Sequence, residues 1–169
     1  MVKLLLASIK VNGIMLNRDF ERDIIPMARH FGMALAPWDV MGGGRFQSKK
    51  AMEERKKNGE GLRTFVGGPE QTELEVKISE ALNKIAEEHG TESVTAIAIA
   101  YVRSKAKNVF PSVEGGKIED LKENIKALSI DLTPDNIKYL ESVVPFDIGF
   151  PNTFIVLNSL TQKYGTNNV

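Results

Sequence analysis

Only three short runs in this chain can be β-strands, and helix-forming sequence separates them. The runs are Val2 to Ile9, Met33 to Ala36 (ended by Pro37) and Asn108 to Pro111. Strands alternating with helices suggest a parallel sheet. Three strands cannot close a barrel, and open parallel edges invite further pairing. The expected architecture is therefore α/β and helix-rich, an incomplete piece of a larger sheet that is prone to self-association through its open strand edges.

The helices are read from apolar spacing. Phe20, Ile24, Met27, Ala28 and Phe31 share one face of a helix that stops before Gly32. Gln47 to Lys57 is charged and can be helical. Leu74, Ile78, Ala81, Leu82, Ile85 and Ala86 form a stripe stopped by Gly90, with His89 in the last turn. Ser93 can cap a helix from Val94 to Lys105 that is apolar nearly all round and should be buried. Ile118, Leu121, Ile125 and Leu128 mark a further amphipathic helix. Thr133-Pro134 opens a last one, with Ile137, Leu140 and Val144 inside and Pro145 at its end.

With 169 residues, 42% hydrophobic and 26% charged, the chain suits one soluble domain and is too short for two. Lys+Arg and Asp+Glu balance at 22 each, which lacks the basic surplus of a nucleic-acid binder. The absence of cysteine removes disulfides, zinc-thiolate sites and a thiol nucleophile, and accords with a cytoplasmic setting. The apolar run behind Lys3 is interrupted at Lys10, too short for a signal-peptide core, and no stretch reaches membrane-helix length. Residues 152–169 are expected to be an irregular tail.

Two glycine-rich turns follow the second and third strands. Bare backbone amides in Gly42 to Gly44 can cradle phosphate, and Gly115-Gly116 precedes a helix that begins near Lys117, whose N-terminal end favours an anion. The first turn does not fit the dinucleotide fingerprint, because no helix opens within it at the right spacing; the second has the better phosphate geometry. In β/α barrels, however, the loops after the seventh and eighth strands frequently build a phosphate site.

At this point the wording becomes specific. Met33 to Phe46 (MALAPWDVMGGGRF) resembles the strand-seven segment of aldo-keto reductases, and Pro111 to Asn124 (PSVEGGKIEDLKEN) resembles their strand-eight loop and cofactor helix. Leu16 to Arg29, Phe31 to Lys57 and Glu87 to Lys107 are similar to the fungal aryl-alcohol dehydrogenase branch, so the likeness covers roughly residues 16 to 151, with residues 1–15 divergent. The resemblance implies the C-terminal part of a (β/α)8 TIM barrel that binds NADP(H) and interconverts aromatic aldehydes and alcohols. It implies pyrophosphate contacts from Ala36, Pro37, Trp38, Gly42, Gly43, Gly44 and Arg45. It also implies contacts to the adenosine 2′-phosphate and adenine from Val113, Gly115, Gly116, Lys117, Glu123 and Asn124.

The departures are as informative. The family pattern has glycine at Glu114, Arg or Ser at Gly116, and Arg, Gln or His at Asp120. A carboxylate about 4 Å from a phosphate charge costs roughly 1 kcal/mol in water and ~4 at an effective dielectric of 20. Glu114 and Asp120 either weaken cofactor binding in this way or simply make a solvated helix start, where acids are favoured. The family's Asp, Tyr, Lys and His tetrad has no matching motif, so no catalytic residue is assigned. Tyr101 reads as a core residue, His89 as a helix-end cation and His30 as a surface residue. No aromatic stands in Ala7-Ser8-Ile9-Lys10 to stack on a nicotinamide. Three readings remain open: a reductase needing a partner chain, an inactive remnant, or a nucleotide-binding module without turnover.

Overall fold

A computed structural model describes residues 8–12 (as backbone), 18–59, 61–62, 68–115, 117–149 and 151–155. Strand β1 (Ser8–Asn12) pairs in parallel with β2 (Ala34–Trp38), in register from Ser8 opposite Ala34 to Asn12 opposite Trp38. Most of the expected first strand, Val2 to Ala7, lies outside the described residues. The strand that is seen runs on through Lys10.

Between the two strands the chain makes a 3-10 turn (Asp19–Glu21) and helix α1 (Ile24–Phe31), not one continuous helix from Phe20. Pro26 explains the break. A helix running through from residue 20 would need an N–H that proline lacks, whereas in a first turn that N–H has no intrahelical partner to lose. Gly32 closes α1 at φ 65°, as the sequence suggests.

Strand β2 continues through Pro37 instead of stopping before it. Its far edge faces residues 108–112. There the Leu35 N–H donates to the Asn108 carbonyl (3.0 Å), the Phe110 N–H to the Leu35 carbonyl (2.8 Å), and the Ser112 N–H to the Pro37 carbonyl (2.7 Å). The one bond missing from this ladder is the one Pro37 cannot donate. The expected third strand is therefore reduced to a single parallel bridge, Leu35 with Val109.

The remaining helices are α2 (Lys49–Lys57), α3 (Glu73–Glu88), α4 (Val94–Ser104), α5 (Ile118–Lys126) with a 3-10 turn at Ala127–Ser129, and α6 (Pro134–Val143). Caps fix their starts. Ser48, Thr72, Ser93 and Thr133 each accept a backbone N–H from the first turn of the helix they open, and Glu75 and Asn136 return the bond to complete capping boxes. Helix α4 is buried from Val94 to Val102 apart from Thr95, and packs with α3 and α6 in one core. Ile78, Leu82, Ile97 and Leu140 are at most 1% exposed there. A smaller cluster of Ile25, Ala28 and Leu35 joins α1 to β2.

Helix α5 departs from the expected packing. Its apolar side, Ile118, Leu121 and Ile125, continued by Leu128, is exposed, while Ala127 is buried. The first residues of the expected irregular tail, 152–155, form a helical turn. Residues 156–169 lie outside the described residues. Among the described residues no helix is long and apolar enough to cross a membrane.

Candidate functional site

The two glycine turns leave the same end of adjacent parallel strands. Residues 39–45 continue from the last residues of β2, and residues 113–117 continue from Ser112, which is bonded to Pro37. Gly116 lies outside the described residues; Gly115 and Lys117 are exposed.

The first turn is wound on itself. Asp39 adopts φ 58°, a left-handed angle that aspartate tolerates, and Gly42, Gly43 and Gly44 adopt φ 56°, 66° and 83°, which glycine accepts at no steric cost. The Gly42 N–H donates to the Asp39 carbonyl and the Gly44 N–H to the Met41 carbonyl, both at 3.0 Å. The Gly43 N–H donates to the Asp39 carboxylate. The one anionic acceptor of this turn is thus the protein's own Asp39, held by the Gly43 amide, while the other two amides close the turn on backbone carbonyls. A Cβ on Gly42 would lie 3.1 Å from the tip of the Phe46 ring, so the turn sits directly on the core.

Arg45 points inward. The residue is 1% exposed, and its guanidinium makes a bidentate pair with Glu75, Nε to Oε1 at 2.6 Å and Nη2 to Oε2 at 3.0 Å. It also donates to the carbonyls of Gly68 (2.7 Å) and Glu70, while Gln71 donates to the Arg45 carbonyl. Burial pushes the Glu75 carboxyl up, but the Arg45 guanidinium and the Thr72 amide outweigh it and hold the group below the usual carboxylate range. Arg45 therefore ties the turn to the start of α3. Of the other residues assigned to this region, Trp38 is exposed at the strand end, Ala36 is half-buried and Pro37 is buried.

The second turn offers different groups. The Lys117 N–H donates to Asp120 Oδ2 at 3.0 Å, so Asp120 closes the first turn of α5 and leaves the Lys117 side chain exposed. Asp120 thus behaves as the acid of a helix start. Glu123 is paired with Lys126 at 2.6 Å, which holds its carboxyl low, with Ser93 assisting. Asn124 is half-buried and Val113 exposed. A Cβ on Gly115 would fall 2.8 Å from the Asp120 Cβ, closer than real contacts allow. Gly115→Ala is accordingly expected to open the first turn of α5, at a cost of roughly 1 kcal/mol or more. Amide exchange across Lys117 to Leu121 should accelerate while the cooperative melting of the core is unmoved; unchanged exchange would refute this.

A second polar cluster was not legible beforehand. Glu21 accepts from Arg18 (2.6 Å) and pairs with Lys105 (3.0 Å); Lys105 also pairs with Glu141, which Arg18 Nη2 approaches at 3.4 Å. The Lys105 ammonium lies 5.0 Å from the Tyr101 ring centroid. Burial, its largest influence, pushes the Tyr101 phenol up, and Lys105 is committed to two carboxylates. The group is a lock joining the 3-10 turn before α1, the end of α4 and α6, and Tyr101 is a core residue at 3% exposure. The histidines lie elsewhere: His30 is exposed against Phe31, and His89 Nε2 is 2.9 Å from Asn136 Oδ1. The signal for the lock was present in Tyr101 and Lys105, four apart on one helix, but its acids come from residues 21 and 141.

Parallel strands followed by helices, with two turns gathered at the strands' C-terminal ends, define part of a β/α barrel. The chain belongs to the Aldo/keto reductase family, which matches it over residues 2–145. It is 92% identical over 154 residues to the Saccharomyces cerevisiae chain that carries the aryl-alcohol dehydrogenase name AAD3, covering 91% of this chain and 42% of that one. It is also 92% identical over 143 residues to AAD15, named likewise, covering 85% of this chain and all of that one. Two solved structures share the fold: the aldo-keto reductase Tm1743 (TM-score 0.57, 24% identity, 80% of this chain and 39% of that one) and the Gluconobacter oxydans glycerol dehydrogenase AKR11B4 (TM-score 0.63, 19% identity, 86% and 46%). The chain thus spans less than half the length of AAD3 and of both solved relatives.

Proposed function

We propose that this chain is the cofactor-facing, C-terminal portion of an NADP(H)-dependent aryl-alcohol dehydrogenase, and that alone it does not turn over substrate. What supports the reading is the adjacency of the two turns, fixed by the Ser112 to Pro37 bond at 2.7 Å, at the strand end where barrels of this kind hold phosphate. The cofactor, when bound, would supply the hydride for aromatic aldehyde reduction. The residues at hand would bind and orient it: Trp38 along the pyrophosphate side, Lys117 toward the 2′-phosphate, and Asn124 and Glu123 toward adenine. Arg45 and Asp39 serve this site by holding the first turn in shape.

The fit is partial. The amides of Gly42 to Gly44 are already bonded within the turn, Arg45 is committed to Glu75, and Asp120 adds a negative charge beside Lys117. Binding by the isolated chain is therefore expected to be weak, in the high-micromolar to millimolar range. Fluorescence titration with NADPH tests it, together with absorbance of NADPH in the presence of an aromatic aldehyde. Lys117→Ala should weaken binding about fivefold, the equivalent of one exposed charge pair worth roughly 1 kcal/mol. No saturation at millimolar ligand would remove the binding role. NADPH oxidation above the blank by the purified chain would overturn the absence of turnover.

A further inference from the structure

Helix α5, which carries the second turn, wears its apolar side outward. Ile118 is 70% exposed, Leu121 56%, Ile125 55% and Leu128 63%, and their spacing makes them one stripe. Phe110 (65%) and Val113 (41%) extend it toward the strand end. The polar positions Glu123 and Asn124 are half-buried, and Ala127 beyond them is buried, where α5 and the turn after it meet α4. Isolated exposed apolar residues are ordinary; a continuous stripe beside a strand marks an interaction surface.

We propose that this stripe is the docking face for the remainder of an aldo-keto reductase barrel, the β/α segment of AAD3 and of the two solved relatives that this chain does not match. Two observations select that occupant. The chain spans 42% of AAD3 and 39% and 46% of the two solved relatives, so most of the sheet and helices of each lies beyond the matched part. The stripe also adjoins a strand edge. Residues 108–112 bond β2 on one side through Leu35 and Pro37, and no strand among the described residues pairs with the other side. A β/α unit offers what such a face lacks, a strand continuing the parallel order and apolar side chains to cover the helix. A second copy related by a two-fold axis would offer the same edge running the opposite way. The proposal rests on family membership and does not depend on whether NADPH binds.

The test mixes the full chain with a separately expressed polypeptide corresponding to the part of AAD3 that this chain does not match. Sedimentation and titration should give a one-to-one complex. Leu121→Glu and Ile125→Glu should each weaken it by about tenfold or more, since each would bury an unpaired carboxylate. Leu74→Glu, at an exposed position on α3, should leave it unchanged. Both stripe residues are exposed, so circular dichroism of the isolated variants should match the parent. A second readout needs no binding-defective variant. The sequence has no cysteine, so Leu128→Cys introduces a unique thiol whose maleimide labelling should slow about tenfold or more on mixing. Three outcomes would overturn the proposal: no complex at tens of micromolar, a complex indifferent to Leu121→Glu with unprotected Cys at 128, or a homodimer through this stripe that the added polypeptide does not displace.

Discussion

Arg45→Ala is expected to cost about 3–5 kcal/mol, because it leaves the Glu75 carboxylate buried without its partner. A domain of this size has a total stability of roughly 5–15 kcal/mol, so the variant should be partly unfolded near physiological temperature. Urea titration followed by circular dichroism measures it; a midpoint within experimental scatter of the parent would contradict the assigned role. Replacing both partners by apolar residues, Arg45→Met with Glu75→Leu, should recover much of the loss, since it also removes the stranded charge. The pair has a pH signature. Glu75 is held below its ordinary value of 4.5, so the folded state binds this proton less readily than the unfolded state. Its contribution is complete above about pH 4.5 and is lost as pH falls through the lower folded value. Glu21 is shifted in the same direction, burial again being outweighed by Arg18 and Lys105, and it steepens the same acid limb. In Arg45→Ala the Glu75 part of that slope should vanish or reverse.

Phe46→Ala is expected to cost about 3–5 kcal/mol by opening a cavity beneath the glycine turn. The ring is 0% exposed and belongs to the cluster built by α3, α4 and α6. It is also the surface on which Gly42 rests, so the loss should reach the turn before the chain unfolds globally. Amide-exchange protection at Gly42 to Arg45 and the urea midpoint should fall together. Trp38→Ala, the removal of a larger but 45% exposed aromatic one element earlier, should change the unfolding free energy by less than about 0.5 kcal/mol. Equal effects from the two variants would show that the turn is not seated on the core as described.

The comparison of these two aromatics illustrates how far the chain can be read without coordinates. Both sit in the same family-like segment, and nothing in their spacing separates the one that anchors the turn from the one left at the strand end. Likewise the triple glycine is legible as a turn with positive backbone angles, but the use of its amides is not. That depended on Asp39 folding back, a contact between residues four apart whose alternative, an external phosphate, is equally compatible with the string of letters. Arg45 reads as a cation beside a phosphate turn. Its partner Glu75 lies 30 residues away, and only the packing of α3 against the turn turns the side chain inward.

Local chemistry was settled by the sequence wherever the cause lay within one or two turns of chain. Ser93 and Thr133 as caps, Gly32 and Gly90 as stops, the all-round burial of α4 and the parallel order of the strands follow from residue type and spacing alone. Pro26 and Pro37 show the same rule applied too coarsely, because proline limits one donor at one place and its effect depends on which bond that donor would have made. The family, too, was legible, since two turns with their flanking strands carry its wording. What the tertiary structure alone decided was the direction of faces. The periodicity of Ile118, Leu121, Ile125 and Leu128 says that a helix has an apolar side, but burial needs another surface to meet it. That surface is not supplied by any described residue, so the stripe that reads as core stands in water.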